Sequence, residues 1–332
     1  MKFNTTTHKR LHNMKTLINP KNTTLIPWSG SKRAFTDKIQ NTINLMNIDK
    51  VDYYFDIFGG SLNFTINNIH LFNAKNYVIN DIDRFLSSTY KALKSDYKHV
   101  IYYYEKIREG FYSLNIPTEL KNKNTIEAKY RKNCMELRYF YQLKVDELNC
   151  ETDIFKIAAL LIWKMQYTSN GMLKYNKDNT ISNVNFTWNY KVRSKVAHIE
   201  YYSYILNKYD VIIEQLDVFD LLYKYEKYQA NSFVYLDPGY LSSSQNYGQD
   251  ISNQFHKKLI NKTNDYRYRL YSNEDTQLLY RLKIDSYFNY YKTFPRNSNL
   301  GSSNSNGREF LAYSVNEPIN NTYFIPTRKE VA

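Results

Sequence analysis

Tyr53-Tyr54-Phe55-Asp56-Ile57-Phe58 is a run of bulky side chains, broken by a single acid, that stops on Gly59-Gly60-Ser61. A run of this kind, bounded by glycines, reads as a strand buried on both faces. A helix is expected to follow through Ile69. The next apolar run, Tyr77-Val78-Ile79-Asn80, reads as a second strand that ends at Asp81, and a helix from Arg84 to about Leu93 comes after it. Strand, glycine turn, helix, strand and acid, in that order, open a doubly wound domain. The predicted fold class is therefore α/β, with a mainly parallel sheet carrying helices on both faces.

Upstream of this stretch, residues 1–24 are polar and basic and read as a flexible arm. Ile26-Pro27-Trp28-Ser29-Gly30-Ser31-Lys32-Arg33 then leads into a helix, with Phe35, Ile39, Ile43 and Leu45 near helical spacing. Downstream, Tyr97 to Trp163 is helical in pattern and rich in aromatics, and Lys164 to Lys195 has little periodicity. Strand-like runs return at Val211-Ile212-Ile213, Phe233-Val234-Tyr235-Leu236, Tyr268–Tyr271 and Phe310–Val315. The expected organisation is a core formed by residues 25–112 and 201–332, interrupted by a largely helical insertion at 113–200. Asn297–Gly307 reads as a Ser/Asn/Gly-rich loop.

Composition narrows the function classes. The 332 residues carry a formal net charge of +13, and 42% of them are hydrophobic, enough for a sizeable core. A polyanion is the simplest partner for that charge, although lysine enrichment from an AT-rich coding sequence would produce the same excess. Nothing approaches the roughly 18 apolar residues of a membrane helix, and Met1–Thr16 has no apolar secretory core. Cys134 and Cys150 form no Cys-x-x-Cys pair and the histidines are scattered, so no metal is expected and a reducing, cytoplasmic setting is.

Two turns carry chemistry. Phe58-Gly59-Gly60-Ser61 follows a strand and opens a helix, where bare backbone and free N–H groups can meet a ligand. Asp81 follows Gly60 by 21 residues, where an acid can accept from ribose hydroxyls. Many such turns bind nothing, and the third glycine of a dinucleotide fingerprint is missing. The second turn is Asp237-Pro238-Gly239-Tyr240, directly after the run Phe233–Leu236. A carboxylate and a backbone carbonyl side by side can accept both N–H bonds of a purine's exocyclic amine. They draw the nitrogen towards sp³ geometry, and a neighbouring aromatic ring can stack on the base. An Asp-Pro-Gly turn that merely closes a strand is the alternative.

Tyr102-Tyr103-Tyr104 and Tyr139-Phe140-Tyr141 could stack on bases, but helix packing is the commoner use. His198 and His256 have no partner at a useful spacing, and Ser302-Ser303 lacks a His/Asp constellation.

Taken together, these segments resemble the Dam-type DNA adenine-N6 methyltransferases with the alpha-class motif order, over about residues 25–315. Ile26–Lys32 resembles that family's N-terminal S-adenosylmethionine (AdoMet) motif. Phe55–Ser61 resembles its glycine turn, Val78–Ile82 its N-D-I strand end, Leu216-Asp217-Val218-Phe219 its adenine-contacting motif, and Phe233–Tyr240 its catalytic D-P-P-Y element. Asn306-Gly307-Arg308-Glu309-Phe310 resembles its C-terminal stretch. The resemblance implies a Rossmann-like AdoMet-dependent methyltransferase core. Trp28, Lys32, Phe58, Gly60, Asp81, Asp217 and Val218 would hold AdoMet, and Asp237, Pro238 and Tyr240 would hold the flipped adenine.

Asn170-Gly171-Met172-Leu173-Lys174-Tyr175-Asn176 and Asn183-Val184-Asn185-Phe186 resemble the family's target-recognition segment. Asn170, Lys174, Tyr175, Asn185 and Arg308 are the implied contacts to double-stranded DNA. Where the family reads guanine with Arg this chain has Lys174, a point charge in place of a fork, and Asn185 replaces a proline. Gly239 replaces the family's second proline and removes its restriction on Pro238. The ordering cost is about 0.4–1 kcal/mol, or roughly two- to fivefold in rate, so an active enzyme is expected. Two further readings stand beside it: a retired methyltransferase-like DNA-binding module, and an adenine methyltransferase acting on RNA or single-stranded DNA. Recognition sequence, a restriction partner, phage origin and the choice between monomer and weak dimer stay open.

Overall fold

The computed structural model of the chain describes residues 24–28, 32–114, 131–168, 171, 173–183, 186–187, 194–240, 251–273, 282–295 and 308–316. The chain divides into two compact units. One comprises Met1–Ala34, Gly60–Asn67 and Asp83–Tyr209, the other Phe35–Gly59, Asn68–Ile82 and Asp210–Ala332.

The second unit is built on a seven-stranded sheet. Its strands are β1 (Val51–Asp56), β2 (Ala74–Asn80), β3 (Ile212–Glu214), β4 (Ser232–Leu236), β5 (Tyr268–Asn273), β6 (Tyr290–Pro295) and β7 (Arg308–Val315), in the order β3-β2-β1-β4-β5-β7-β6. The first five run parallel. β7 is antiparallel to β5, and β6 to β7. Alternation along β1 sends Phe55 to one face, where it joins Val78, Val234, Tyr271 and Ala312. Helices α7 (Val218–Lys224) and α8 (Asn253–Lys262) cover that face with Val218, Leu221, Leu222, Leu259 and Ile260. Tyr54 goes to the other face, where its ring stacks on Phe233 and meets Phe72 edge-on. Each such side chain contributes about 1.5–3 kcal/mol by leaving water. Helix α1 (Thr36–Leu45) buries Ile39 and Ile43. Leu45, 64% exposed, falls off that stripe despite its spacing.

The strands expected from sequence all form, with ends shifted by a few residues. β6 was not expected, because its core Tyr-Tyr-Lys-Thr is short and mixed and its register depends on β7.

The first unit is helical: α2 (Asn63–Asn68, its last residue in the other unit), α3 (Arg84–Tyr112), α4 (Arg131–Cys150), α5 (Ile154–Met165) and α6 (Val196–Lys208). The insertion expected at 113–200 falls within it. Asp83 caps α3 by accepting from the Phe85 and Leu86 N–H groups at 2.8 and 3.2 Å. The sequence predicts an end near Leu93, and the helix does break at Asp96 (φ −150°, ψ 87°). It then restarts, because the Asp96 carboxylate accepts from the Lys98 and His99 N–H groups and acts as an internal N-cap. α5 is apolar on nearly all sides and buried, with Trp163 ringed by Phe111, Phe140 and Tyr167. Tyr104 and Tyr141 are core residues, while Tyr102 and Tyr139 are exposed. No described helix is long and apolar enough to cross a membrane. The Asn297–Gly307 loop lies outside the described residues.

One buried cation ties the second unit together. Arg269, on β5, donates to Ser314 Oγ (2.8 Å) and to the carbonyls of Ile260 (3.4 Å) and Tyr287 (2.5 Å). Burial lowers its pKa to about 10. Arg269→Met should keep the packing but strand the Tyr287 carbonyl, while Ile260 keeps its bond from Thr263 Oγ1 (3.1 Å), destabilising the protein by about 1–3 kcal/mol. Thermal unfolding would register this as a lower midpoint; an unchanged midpoint would contradict it.

Candidate active site

Sheet order identifies where a ligand crevice forms. The chain goes from β1 to β2 and β3 on one side, then returns to place β4 on β1's other side. In an open α/β sheet the crevice lies outside the carboxyl ends of the strands at such a reversal. Here those ends are Asp56, followed by Ile57-Phe58-Gly59, and Leu236, followed by Asp237-Pro238-Gly239-Tyr240.

The turn after β4 is braced at each polar point. Ser272 Oγ donates to Asp237 Oδ1 at 3.0 Å and lies 3.1 Å from Tyr235 Oη. Asn273 Nδ2 donates to the Pro238 carbonyl at 3.3 Å. Tyr240 Oη donates to Glu309 Oε1 at 3.0 Å. Asp237 and Tyr240 are half-buried, and Pro238 is buried. Behind Asp237, burial first and the Asp237 charge second push the Tyr271 phenol well above its ordinary value of 10.0. His256 Nδ1 lies 2.6 Å from Tyr271 Oη, so this histidine, expected to be partnerless, has a buried hydroxyl neighbour. Burial lowers its pKa to about 4, which keeps the ring neutral.

On the other side of β1, Asn80 binds two loops together. Its Nδ2 donates to the carbonyls of Ile57 (3.3 Å) and Leu216 (3.1 Å), and its Oδ1 accepts from the Leu216 N–H (2.9 Å). The Gly59 N–H donates to the Asn80 carbonyl at 2.8 Å. Asn80 thus holds the Phe58 and Asp217 loops beside Asp81, whose N–H reaches the Glu214 carbonyl at 3.4 Å. Asp217 caps α7 by accepting from the Phe219 N–H at 2.8 Å. Val218 is buried in the core, and Phe58 packs against that core with its ring 6.5 Å from Phe255. A half-buried carboxylate after β2 and another after β3 can accept from hydroxyl and amino groups, and an apolar ring after β1 can pack on a base, a set suited to a nucleoside such as that of AdoMet.

The first unit has a cluster of its own. Gly60 adopts φ +49°, and a Cβ there would lie 3.1 Å from Trp28 Nε1, so the indole sits directly on the glycine. Tyr90 Oη donates to the Gly60 carbonyl. Gly171 adopts φ +64°, and a Cβ there would lie 2.6 Å from the Trp28 nitrogen and 2.7 Å from the Pro27 carbonyl carbon. Only a glycine lets the two backbones come that close. Lys32 is 5% exposed.

Lys174 and Tyr175 lie on a small hairpin. Tyr175 bridges Ile181, and the Ser182 N–H donates to the Lys174 carbonyl at 2.8 Å. Asn149 clamps the second arm, accepting from the Ile181 N–H (2.7 Å) and donating to its carbonyl (3.0 Å). Tyr175 Oη donates to the Asp83 carboxylate, so that hydroxyl is committed to the cap of α3. Lys174 is half-buried, and the tip Asn176–Asn179 is exposed. Arg308 is exposed on β7 and donates to Thr293 Oγ1 at 2.6 Å. Asn170 and Asn185 lie outside the described residues. Among those described, no cluster of His, Cys, Asp and Glu could hold a metal.

Sequence reading missed Ser272, Asn273, Glu309, Asn80 and Asn149. Asn80 and Glu309 stood inside quoted motifs without a role. The other three are ordinary polar residues whose partners are distant in sequence.

A parallel sheet with a glycine turn after β1, carboxylates after β2 and β3, and an Asp-Pro-Gly-Tyr turn after β4 defines a methyltransferase-type α/β protein. A profile of the family described as D12 class N6 adenine-specific DNA methyltransferase matches residues 28–296, and the chain belongs to that family. It is an AdoMet-dependent DNA adenine-N6 methyltransferase. A comparison with curated proteins finds no match.

Asn80→Ala would release both loops that Asn80 joins. AdoMet affinity should fall by roughly 10- to 30-fold, as two to three hydrogen bonds at about 1 kcal/mol each are only partly transmitted to the ligand. Calorimetric titration of the folded variant measures this, and an unchanged Kd would show that Asn80 does not shape the cofactor loops.

Proposed function

We propose that the enzyme methylates adenine in duplex DNA at specific sites, taking the base out of the helix to do so. The observation that carries this reading is the braced Asp237-Pro238-Gly239-Tyr240 turn at the sheet's reversal point. Asp237 and the Pro238 carbonyl accept the two N6–H bonds of adenine, localising the nitrogen lone pair that the conjugated amine otherwise shares with its ring. Tyr240 stacks on the base. Its hydrogen bond to Glu309 fixes the ring plane, which limits the entropy lost when the base arrives. A base paired within duplex cannot reach such a turn, which is the reason for flipping. AdoMet supplies a methyl group already activated on sulfonium sulfur. Phe58, Asp81, Asp217 and Val218, which follow the strand ends, are the residues we assign to holding it; Trp28, Lys32 and Gly60 are assigned to it on the motif resemblance.

The hairpin carrying Lys174 and Tyr175 is our candidate for reading the target, with Asn170, Asn185 and Arg308. A two-stranded β-ribbon fits a major groove. A lysine at position 174 brings charge without a bidentate fork, so guanine discrimination at that position should be weaker than an arginine would give.

Transfer of labelled methyl from AdoMet to a pool of AT-rich duplex DNA tests the reading. Asp237→Ala should abolish transfer while AdoMet binds nearly as before; full activity in that variant would refute the assigned role. If a single strand outcompetes the duplex, the substrate assignment is wrong. The observed affinity for duplex should also fall steeply between about 50 and 200 mM salt as phosphate contacts are screened. A flat salt profile would count against a nucleic-acid backbone as partner.

A further inference from the structure

β4 and β5 are paired in parallel, with Leu236 opposite Tyr271. Extending that register by one and two residues brings Asp237 beside Ser272 and Pro238 beside Asn273. The side chains meet accordingly, Ser272 Oγ on Asp237 Oδ1 and Asn273 Nδ2 on the Pro238 carbonyl. Ser272 and Asn273 are both fully buried, and Asn273 is held in place by its pairing with Phe310 of β7.

We propose that Asn273 is a positioning residue for methyl transfer, aiming the Pro238 carbonyl that receives the adenine amine. This rests on the site assignment above. The amide does from a neighbouring strand what a proline after Pro238 would do within the chain. A proline restricts the preceding residue through its Cδ, and Gly239 offers no such restriction. A hydrogen bond of 3.3 Å from a buried, strand-anchored amide fixes the same carbonyl from outside. A peptide carbonyl has two acceptor lone pairs, so one bond to Asn273 leaves the second for adenine N6–H.

The space around residue 239 agrees with this division of labour. A Cβ built on Gly239 would come within 2.4 Å of Ile251 Cδ1. A second proline would have to turn the tip of the Ile251 side chain aside, whereas with Gly239 the restraint comes from β5.

The test measures single-turnover methyl transfer to duplex DNA, AdoMet Kd by calorimetry and thermal unfolding, for the parent and for Asn273→Ala, Asn273→Asp and Asp237→Ala. Asn273→Ala should lower the transfer rate roughly 10- to 100-fold, the scale of a small misplacement at a reacting centre. AdoMet Kd should stay within about twofold, since the amide's bond goes to the Pro238 carbonyl of the turn assigned to the base. Asn273→Asp keeps the shape but presents an acceptor to the carbonyl when ionised and a donor when protonated. Its rate relative to the parent, taken below the unfolding midpoint measured at each pH so that the variant stays folded, should therefore recover as pH falls, a response that a purely structural role would not give. That readout also decides the matter should Asn273→Ala fail to fold.

A transfer rate for Asn273→Ala within threefold of the parent would overturn the proposal. So would a loss of AdoMet affinity in step with the rate, or a rate for Asn273→Asp relative to parent that does not change with pH. The two levels of inference separate cleanly. If Asp237→Ala still transfers methyl, the site assignment itself is wrong. If Asp237→Ala is inactive while Asn273→Ala is fully active, only the role of Asn273 falls.

Discussion

Pairing of β4 with two parallel neighbours sets the geometry on which the rest of the second unit depends. Parallel strands deliver their carboxyl ends to one edge of a sheet. The turns after β1, β2, β3 and β4 and the last residues of β5 therefore assemble there, although they are spread from Ile57 to Asn273. β7 runs the other way, so its beginning reaches the same edge: Phe310 lies opposite Asn273, and Glu309 is next to it. Thus Tyr240 finds a carboxylate that follows it by 69 residues in the chain. A one-residue slip of β5 against β4 would turn Ser272 and Asn273 to the wrong faces and take both braces from the turn proposed to be catalytic.

The first unit solves a different problem, bringing segments of main chain closer than side chains permit. Gly171 lies on the Pro27–Trp28 backbone, and Gly60 lies under the Trp28 indole. Tyr202 Oη lies 3.3 Å from the Ser61 carbonyl and 3.4 Å from the Leu25 nitrogen, linking the glycine turn to the same N-terminal segment. The segment proposed to read DNA and a segment proposed to hold AdoMet thus share a packed contact within one unit. A displacement at Gly171 has no soft side chain to absorb it and must move the backbone of Pro27–Trp28.

Much of this was legible in the sequence, for definite physical reasons. Buried parallel strands announce themselves as apolar runs, and turns that must expose backbone announce themselves as glycines, so Phe55–Ser61 and Phe233–Tyr240 could be placed from residue type alone. A helix ending near Leu93 and a helical pattern resuming at about Tyr97 were both read from the sequence. The cap between them was not, because an aspartate such as Asp96 caps a helix only if the following N–H groups are already aligned. Ser272 and Asn273 were invisible for a related reason. Serine and asparagine are common residues, and their role exists only once β5 is in register with β4. Tyr175 was read as a DNA contact, and the structure engages its hydroxyl with Asp83. That leaves its ring, rather than its hydroxyl, as the group the hairpin can offer.

The glycine at position 239 shows how the two kinds of information combine. Read along the chain, it is a loss: a turn that should be stiff has gained freedom worth about 0.4–1 kcal/mol. Read across the sheet, the freedom is confined, because Asn273 holds the carbonyl before Gly239. The source of the restraint differs in kind. A Pro-Pro pair carries its stiffness wherever the segment goes, even when the rest of the domain is disordered. A brace from β5 exists only while β4, β5 and β7 remain paired, so the aim of the Pro238 carbonyl is tied to the integrity of the sheet. With Gly239, placement of the proposed acceptor becomes a tertiary property instead of a local one, and on that proposal substitutions that loosen the β4–β5–β7 edge act on the reaction without touching a residue assigned to the substrate.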